Sequence, residues 1–263
     1  MCGGLANFEQ INLKELDRKI RIGAVSYLNT LPLVYGLQKG EISSLMELSF
    51  DYPARVAQAL LEDSVDVGLI PVAMMPKIKD AHIISDYCIA ASGPVASVCI
   101  FAEMPLEELT HIYLDYQSRT SVNLARILLK EYWKLEVAFL PAENNFIDKI
   151  GGTTGAVIIG DRALKQLSVS KFSYDLAEAW IEHTGLPFVF AAWVANKALP
   201  QNFIDAFNNA TGEGLEHLDE IVRGLNVPYY DLKKYYSEDV DYKLDESKLK
   251  AIKLFHEKLL HLG

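Results

Sequence analysis

The stretch VSYLNTLPLVYGL (residues 25–37) carries Ser26, Tyr27, Asn29 and Thr30, four hydrogen-bonding side chains within five positions. An apolar run that reads as a strand precedes them, and one that reads as a helix follows. Two uses are open: capping of that helix by Asn29 or Thr30, or a ligand site at the end of the strand. Similar clusters recur. SGPVAS (92–97) supplies Ser92, Gly93 and Ser97, and QSRTS (117–121) supplies Ser118, Arg119, Thr120 and Ser121. GGTTG (151–155) supplies Thr153 and Thr154 ahead of a strand that ends in Gly160 and Asp161. All four are expected to face a cleft, and together they suggest an anion site. The first turn of a helix offers unpaired N–H groups and about half a positive charge, and hydroxyls add neutral donors. Such a site holds a carboxylate or a phosphate with few cations. QSRTS is the clearest case; the alternative there is a capped surface helix with a solvated Arg119.

Other chemistry is thin. His82, His111, His183, His217, His256 and His261 show no metal-ligand spacing beyond a weak His256/His261 pair, so no metal is expected. There is no G-x-S-x-G, no phosphate-binding G-x-x-x-x-G-K-[ST] loop and no G-x-G-x-x-G. Asp115, Asp161, Asp175, Glu178 and Glu182 are candidate acids or bases, but caps or surface charges are the simpler roles, with Asp161 capping the helix after its strand. Trp180, Trp193 and Tyr27 would suit either a flat pocket or the core; Trp193 reads as core. Cys2, Cys88 and Cys99 are odd in number and lack metal spacing. Cys88 and Cys99 lie in apolar runs and read as buried thiols, which suits a reducing compartment.

The elements that must position these clusters alternate. IRIGAVS (20–26), LMELSF (45–50) and VDVGLIPV (65–72) read as strands. LPLVYGLQ (31–38) and PARVAQALLED (53–63) read as helices, the latter with Val56, Ala59 and Leu60 on one face. This βαβαβ order predicts a parallel sheet with helices on both faces. A second block holds the strands VASVCIFA (95–102), THIYLDY (110–116), LEVAFLP and GAVIIGD (155–161). Its best helix, SRTSVNLARILLKEYW (118–133), puts Val122, Ala125, Leu128, Leu129 and Trp133 on one face. DLAEAWIEHTG (175–185) reads as a helix capped by Gly185, and LPFVFAAWVA (186–195) as a strand. From Pro200 onward only helices are expected. No linker is present, so SGPVAS and FAAWVA are the candidate crossings between two α/β lobes: 20–93 with 194–263, and an inserted 94–193. Residues 1–19 read as an extension with a helix over 11–18 and none of the features of a secretion signal. A cleft between such lobes, at strand C-termini, is a common ligand site.

The 263 residues are half apolar and carry a formal charge of -10, which argues against nucleic acid or an anionic membrane as partner. No apolar run reaches the length of a membrane span. A cytoplasmic monomer or homodimer is expected.

RIGAVSYLNTLPLVYGL, SGPVASV, SRTSVNLARILL, GAVIIGDRAL and YDLAEAWIEHTGLPFVFAAWV, with the terminal YYSEDVDYKLDESKLKAIKLFHEKL, resemble in this order the chorismate dehydratases of the futalosine route to menaquinone. The resemblance spans about residues 19–262. It implies an α/β, two-lobed type II periplasmic-binding-protein-like fold with a ligand cleft between the lobes. It implies a lyase that dehydrates chorismate to 3-[(1-carboxyvinyl)oxy]benzoate without redox cofactor or metal. Asn29 and Ser97 then become the expected catalytic residues, and Ser26, Tyr27, Thr30, Ser92, Gly93, Ser118, Arg119, Thr120, Ser121, Gly160 and Asp161 the expected substrate-binding set. Two alternatives share the fold: a binding protein for a small carboxylate, without catalysis, and the sister enzyme that makes 1,4-dihydroxy-6-naphthoate. The sister enzyme relies on a catalytic histidine, which the motifs here do not offer.

Overall fold

The computed structural model describes residues 18–262. Cys2 and all but the last residue of the helix expected over 11–18 lie outside the described residues. The strands β1 (Ile20–Val25), β2 (Met46–Asp51) and β3 (Val67–Pro71) are parallel, with β1 between the other two. They are joined by α1 (Leu31–Tyr35), α2 (Ile42–Leu45) and α3 (Pro53–Leu61). These three strands follow the parallel arrangement that their βαβαβ order predicts, while the rest of the sheet is antiparallel. β4 (His82–Ala91) and β10 (Phe188–Ala195) run antiparallel to each other, and β10 runs antiparallel to β3. These two strands carry the chain out of the sheet and back, so no crossover helix constrains their direction. A short edge strand, β11 (Asp241–Lys243), completes the order β11-β4-β10-β3-β1-β2. It lies in the tail read as helices only; three residues are too few for an alternating pattern to show.

Between the crossing strands stands a second sheet, of β5 (Val98–Ala102), β6 (His111–Leu114), β7 (Ala138–Pro141), β8 (Thr154–Ile159) and β9 (Phe172–Asp175), ordered β7-β6-β8-β5-β9. Three helices belong to this part of the chain: α4 (Thr120–Glu131), α5 (Asp161–Gln166) and α6 (Leu176–Thr184). α4 buries Val122, Ala125, Leu128 and Leu129 of the expected stripe and also Leu124 and Ile127, while Trp133 lies past its end and is half-buried. Gly185 ends α6 at φ 72°, in the left-handed region. β10 is buried along its whole length and pairs in the first sheet from Phe188 onward. Residues 188–193, expected in the inserted lobe, therefore lie in the first sheet; an apolar run buried on both faces gives no sign of which sheet it joins.

After β10 come α7 (Gln201–Glu213), α8 (Leu218–Arg223), α9 (Leu232–Lys234), a π-helical turn over Tyr235–Asp239, and α10 (Glu246–Leu260). Trp180 packs edge-on against Phe188 and Phe255, and Trp193 against Phe207, so both tryptophans are core. α1 is seated by Gly214, where a Cβ would come within 1.9 Å of the Pro32 carbonyl oxygen. At the far end of the first sheet, the buried Asp66 carboxylate takes Arg18 at 2.6 Å and Arg21 and Lys197 at 2.9 Å. Burial works to raise the Asp66 carboxyl, but these hydrogen bonds outweigh it and hold the group well below the usual carboxylate range.

Candidate active site

β1, β3, β6 and β8 all end near one place, where the second sheet meets the first. Tyr27 and Asn29 follow β1, in and before a 3-10 turn over Leu28–Thr30. Ser97 ends the crossing segment before β5. Ser118, Thr120 and Ser121 form the entry to α4, and Gly160 joins β8 to α5. These seven line one cavity, whose apolar floor includes Pro71, Ile89, Val98, Ile159, Phe190 and Ala191. Among the described residues lining it, none is an acid, amine, guanidinium, imidazole or thiol. The free volume is about 50 Å³, the share of one or two waters, so a ring-sized ligand enters only if the walls part.

The hydroxyls are oriented by what they accept. Ser118 Oγ accepts the Ser121 N–H at 2.9 Å, and Thr120 Oγ1 accepts the Ala73 N–H at 3.2 Å. Each keeps its own proton to offer to the cavity. Asn29 Oδ1 accepts from Thr30 Oγ1 at 3.4 Å, which leaves the amide NH2 as the donor on offer. Ser97 Oγ is buried without a hydrogen bond. A buried polar group left unpaired costs stability, and a ligand oxygen would pair it.

Asp175 sets the position of Ser97. Its Oδ1 caps α6 through the Ala177 and Glu178 N–H groups, at 2.9 and 3.1 Å. Its Oδ2 accepts the Val95 and Ala96 N–H groups at 2.8 and 2.7 Å. Ala96 is held there at φ 61°, and the Ser97 carbonyl then accepts the Gly160 N–H at 2.8 Å. Gly160 itself has φ 65° and ψ -146°, a region open to glycine alone. A Cβ there would sit 2.8 Å from the Tyr27 ring.

Contacts across the cleft hold the two parts closed. The Tyr27 hydroxyl donates to Gln117 Oε1. Gln117 Oε1 also takes Arg162 at 2.8 Å, and Arg162 pairs with the buried Asp115 at 2.7 Å. Burial pushes the Tyr27 phenol up, so it stays a protonated donor. Burial also raises the Asp115 carboxyl, against the opposing pull of Arg162. Asp161 does not cap α5 with its side chain; its Oδ1 reaches across to the Leu28 N–H at 3.0 Å. Burial raises this carboxyl as well.

The remaining expected residues stand apart. Thr30 is buried behind Asn29. Ser26 and Arg119 are exposed, outside the lining. Ser92 is exposed and bonds Asp241 at 2.6 Å, and Gly93 beside it is also outside the lining. Thr153 and Thr154 do not face the cleft as expected: they lie at the N-terminal end of β8, opposite Gly160, where Thr153 Oγ1 bonds Thr110. The strand between the two motifs spans the sheet, so only one of them reaches the cavity. No group of histidine, cysteine and carboxylate side chains among the described residues is arranged for a metal. The motifs do not single out Gln117, Arg162 or Tyr242, whose hydroxyl donates to the Asn29 carbonyl at 3.0 Å. Gln117 stands at the head of the QSRTS motif, and Arg162 directly follows Asp161. Tyr242 closes the stretch YYSEDVDY.

A model of a family described as menaquinone biosynthesis matches residues 20–260. The chain belongs to that family. It is 28% identical to a chorismate dehydratase of Thermus thermophilus, over 90% of this chain and 94% of that one. Identity to a chorismate dehydratase of Campylobacter jejuni is also 28%, over 85% and 86%. A Candida albicans protein described as having the generic periplasmic binding protein fold superposes with a TM-score of 0.58, at 14% identity over 93% of this chain and 89% of that one. That likeness shows the fold alone, and it is the two-lobed one expected from the sequence. Among the described residues no helix is long and apolar enough to cross a membrane.

Proposed function

We propose that this member of the menaquinone biosynthesis family dehydrates chorismate to 3-[(1-carboxyvinyl)oxy]benzoate, with Asn29 and Ser97 as its catalytic residues. The observation that carries the reading is a cavity walled by neutral donors with no conventional base among its described lining residues. Chorismate needs little from such a site. Its C3 proton is acidified through the ring diene conjugated to the C1 carboxylate, and loss of this proton with the C4 hydroxide makes an aromatic ring. The enzyme's task is then positioning, and stabilising the charge that builds on the ring carboxylate. The hydroxyls of Ser118, Thr120 and Ser121 with the first turn of α4 suit that charge. The base is the substrate's own enolpyruvyl carboxylate, which takes the C3 proton. Asn29 and Ser97 hold the oxygens on the opposite wall and assist departure of the C4 oxygen.

The test is purified protein with chorismate and no added metal or cofactor, followed by chromatography of the aromatic product, with Asn29→Ala alongside. The product is expected from the wild type, with a loss of about 10²-fold or more in the variant. Chorismate bound but unchanged would turn the reading to a binding protein. A substrate analogue lacking the enolpyruvyl carboxylate yet eliminated at the normal rate would sink the assigned base.

A further inference from the structure

A second buried hydroxyl lies close to Ser97. Tyr235 opens the π-helical turn of the tail and is fully buried; turns of this kind concentrate at functional sites. Ser97 and Asn29 lie within hydrogen-bonding reach of its phenol, and Asp161 and Tyr236 are also nearby. Yet Tyr235 Oη and Ser97 Oγ are both buried without a hydrogen bond. They are neighbours that are not paired. The same tail also holds Asn29 in place, since the buried Tyr242 hydroxyl donates to the Asn29 carbonyl at 3.0 Å. Two adjacent orphan hydroxyls beside an amide are costly in a finished core. They are understandable where a third oxygen is to complete the chain.

We propose that Tyr235 is a positioning residue that acts through Ser97: with ligand bound, its O–H donates to Ser97 Oγ and thereby commits the single Ser97 proton to the ligand oxygen. The inference rests on the dehydration reading, in which that oxygen is the one leaving C4. A serine hydroxyl has one proton and can accept two. With its acceptor side occupied by the more acidic phenol, it can only donate forward, and each bond polarises the next. Burial holds the Tyr235 phenol far above its ordinary value, so it keeps its proton throughout. The C4–O bond breaks with its electron pair on oxygen. The C3–H pair becomes ring π-bonding. The C3 proton, first taken by the enolpyruvyl carboxylate, completes the departing water. Tyr235 and Ser97 end as they began.

The experiment is steady-state turnover of chorismate by the wild type, Tyr235→Phe, Ser97→Ala and the double variant, with thermal midpoints for each. Tyr235→Phe should lower kcat by about 10-fold while KM moves less than about 3-fold. In the Ser97→Ala background it should lower kcat no further. Its thermal midpoint should match or exceed the wild type's, because an unpaired buried hydroxyl is removed. Tyr236→Phe removes another unpaired hydroxyl of the same turn and should leave kcat unchanged. An unchanged kcat in Tyr235→Phe, or an equal loss with and without Ser97, overturns the inference while leaving the dehydratase standing. A wild type that does not consume chorismate overturns both.

Discussion

Asp175→Asn replaces one oxygen by an NH2 group and adds almost no volume, yet it should be among the costliest changes in the chain. Both carboxylate oxygens accept, Oδ1 from Ala177 and Glu178, and Oδ2 from Val95 and Ala96. Whichever way the asparagine turns, its NH2 faces two backbone donors. Two charge-assisted hydrogen bonds, worth about 1.5–3 kcal/mol each, become donor–donor contacts. The loss is about 3–6 kcal/mol, a large part of the 5–15 kcal/mol typical of a folded protein. If the amide keeps its oxygen on the helix side, the α6 cap survives and the Val95–Ser97 segment is released. If it turns the other way, the cap is lost at a cost of about 1 kcal/mol or more. Denaturant unfolding measures the sum. Turnover measured well below the unfolding midpoint then tells which side gave way, since only release of Ser97 lowers kcat. A variant within about 1 kcal/mol of the wild type and fully active would refute the idea that one carboxylate fixes both the helix and the crossing strand.

Gly160→Ala should cost about 1–3 kcal/mol in backbone strain and push the Tyr27 ring off Gln117, so turnover should fall more than denaturant stability does. Asp66→Asn should destabilise by about 3 kcal/mol, the low end for breaking a buried ion pair, because Arg21 and Lys197 keep some contact with water. The folded-state pKa of Asp66 is depressed, so its contribution is complete above the unfolded carboxylate value of about 4 and is lost as pH falls further. The gap in thermal midpoint between wild type and variant should therefore be constant at neutral pH and narrow on acidification below about pH 4. Tyr242→Phe strands the Asn29 carbonyl and should cost about 1–3 kcal/mol in unfolding experiments, with kcat reduced as well.

The sequence was most legible where period and punctuation agree. The stripe of α4, the stop at Gly185 and the polar clusters at the ends of β1 and β6 all follow from local rules. It was least legible where a residue's role depends on a distant partner. Nothing near Asp175 tells that Val95 and Ala96 lie against it. Nothing in YYSEDVDY says that this tail closes over Asn29, more than two hundred positions earlier. GGTTG failed for a related reason: a motif at the start of a strand and one at its end lie on opposite edges of the sheet, and local composition does not distinguish them. The direction of β10 also escaped, because a run buried on both faces looks the same read either way.

The choice of neutral donors has a chemical logic. If the substrate supplies the base, the enzyme must bind a carboxylate without making it a poor base. A cation within about 4–6 Å lowers a carboxylate's pKa by 1–3 units, which would weaken it as a proton acceptor by about 10–10³-fold. Hydroxyls and amides bind the same group with a smaller penalty. The described lining follows that rule, and the nearby cations are kept away from it. Arg162 is engaged by Asp115 and Gln117, and Arg119 is turned to solvent. The first turn of α4 carries a partial positive charge, while Asn29 and Ser97 are neutral. Under the proposed dehydration, it is this lining of neutral donors, more than any single residue, that would let one dicarboxylate be both substrate and base.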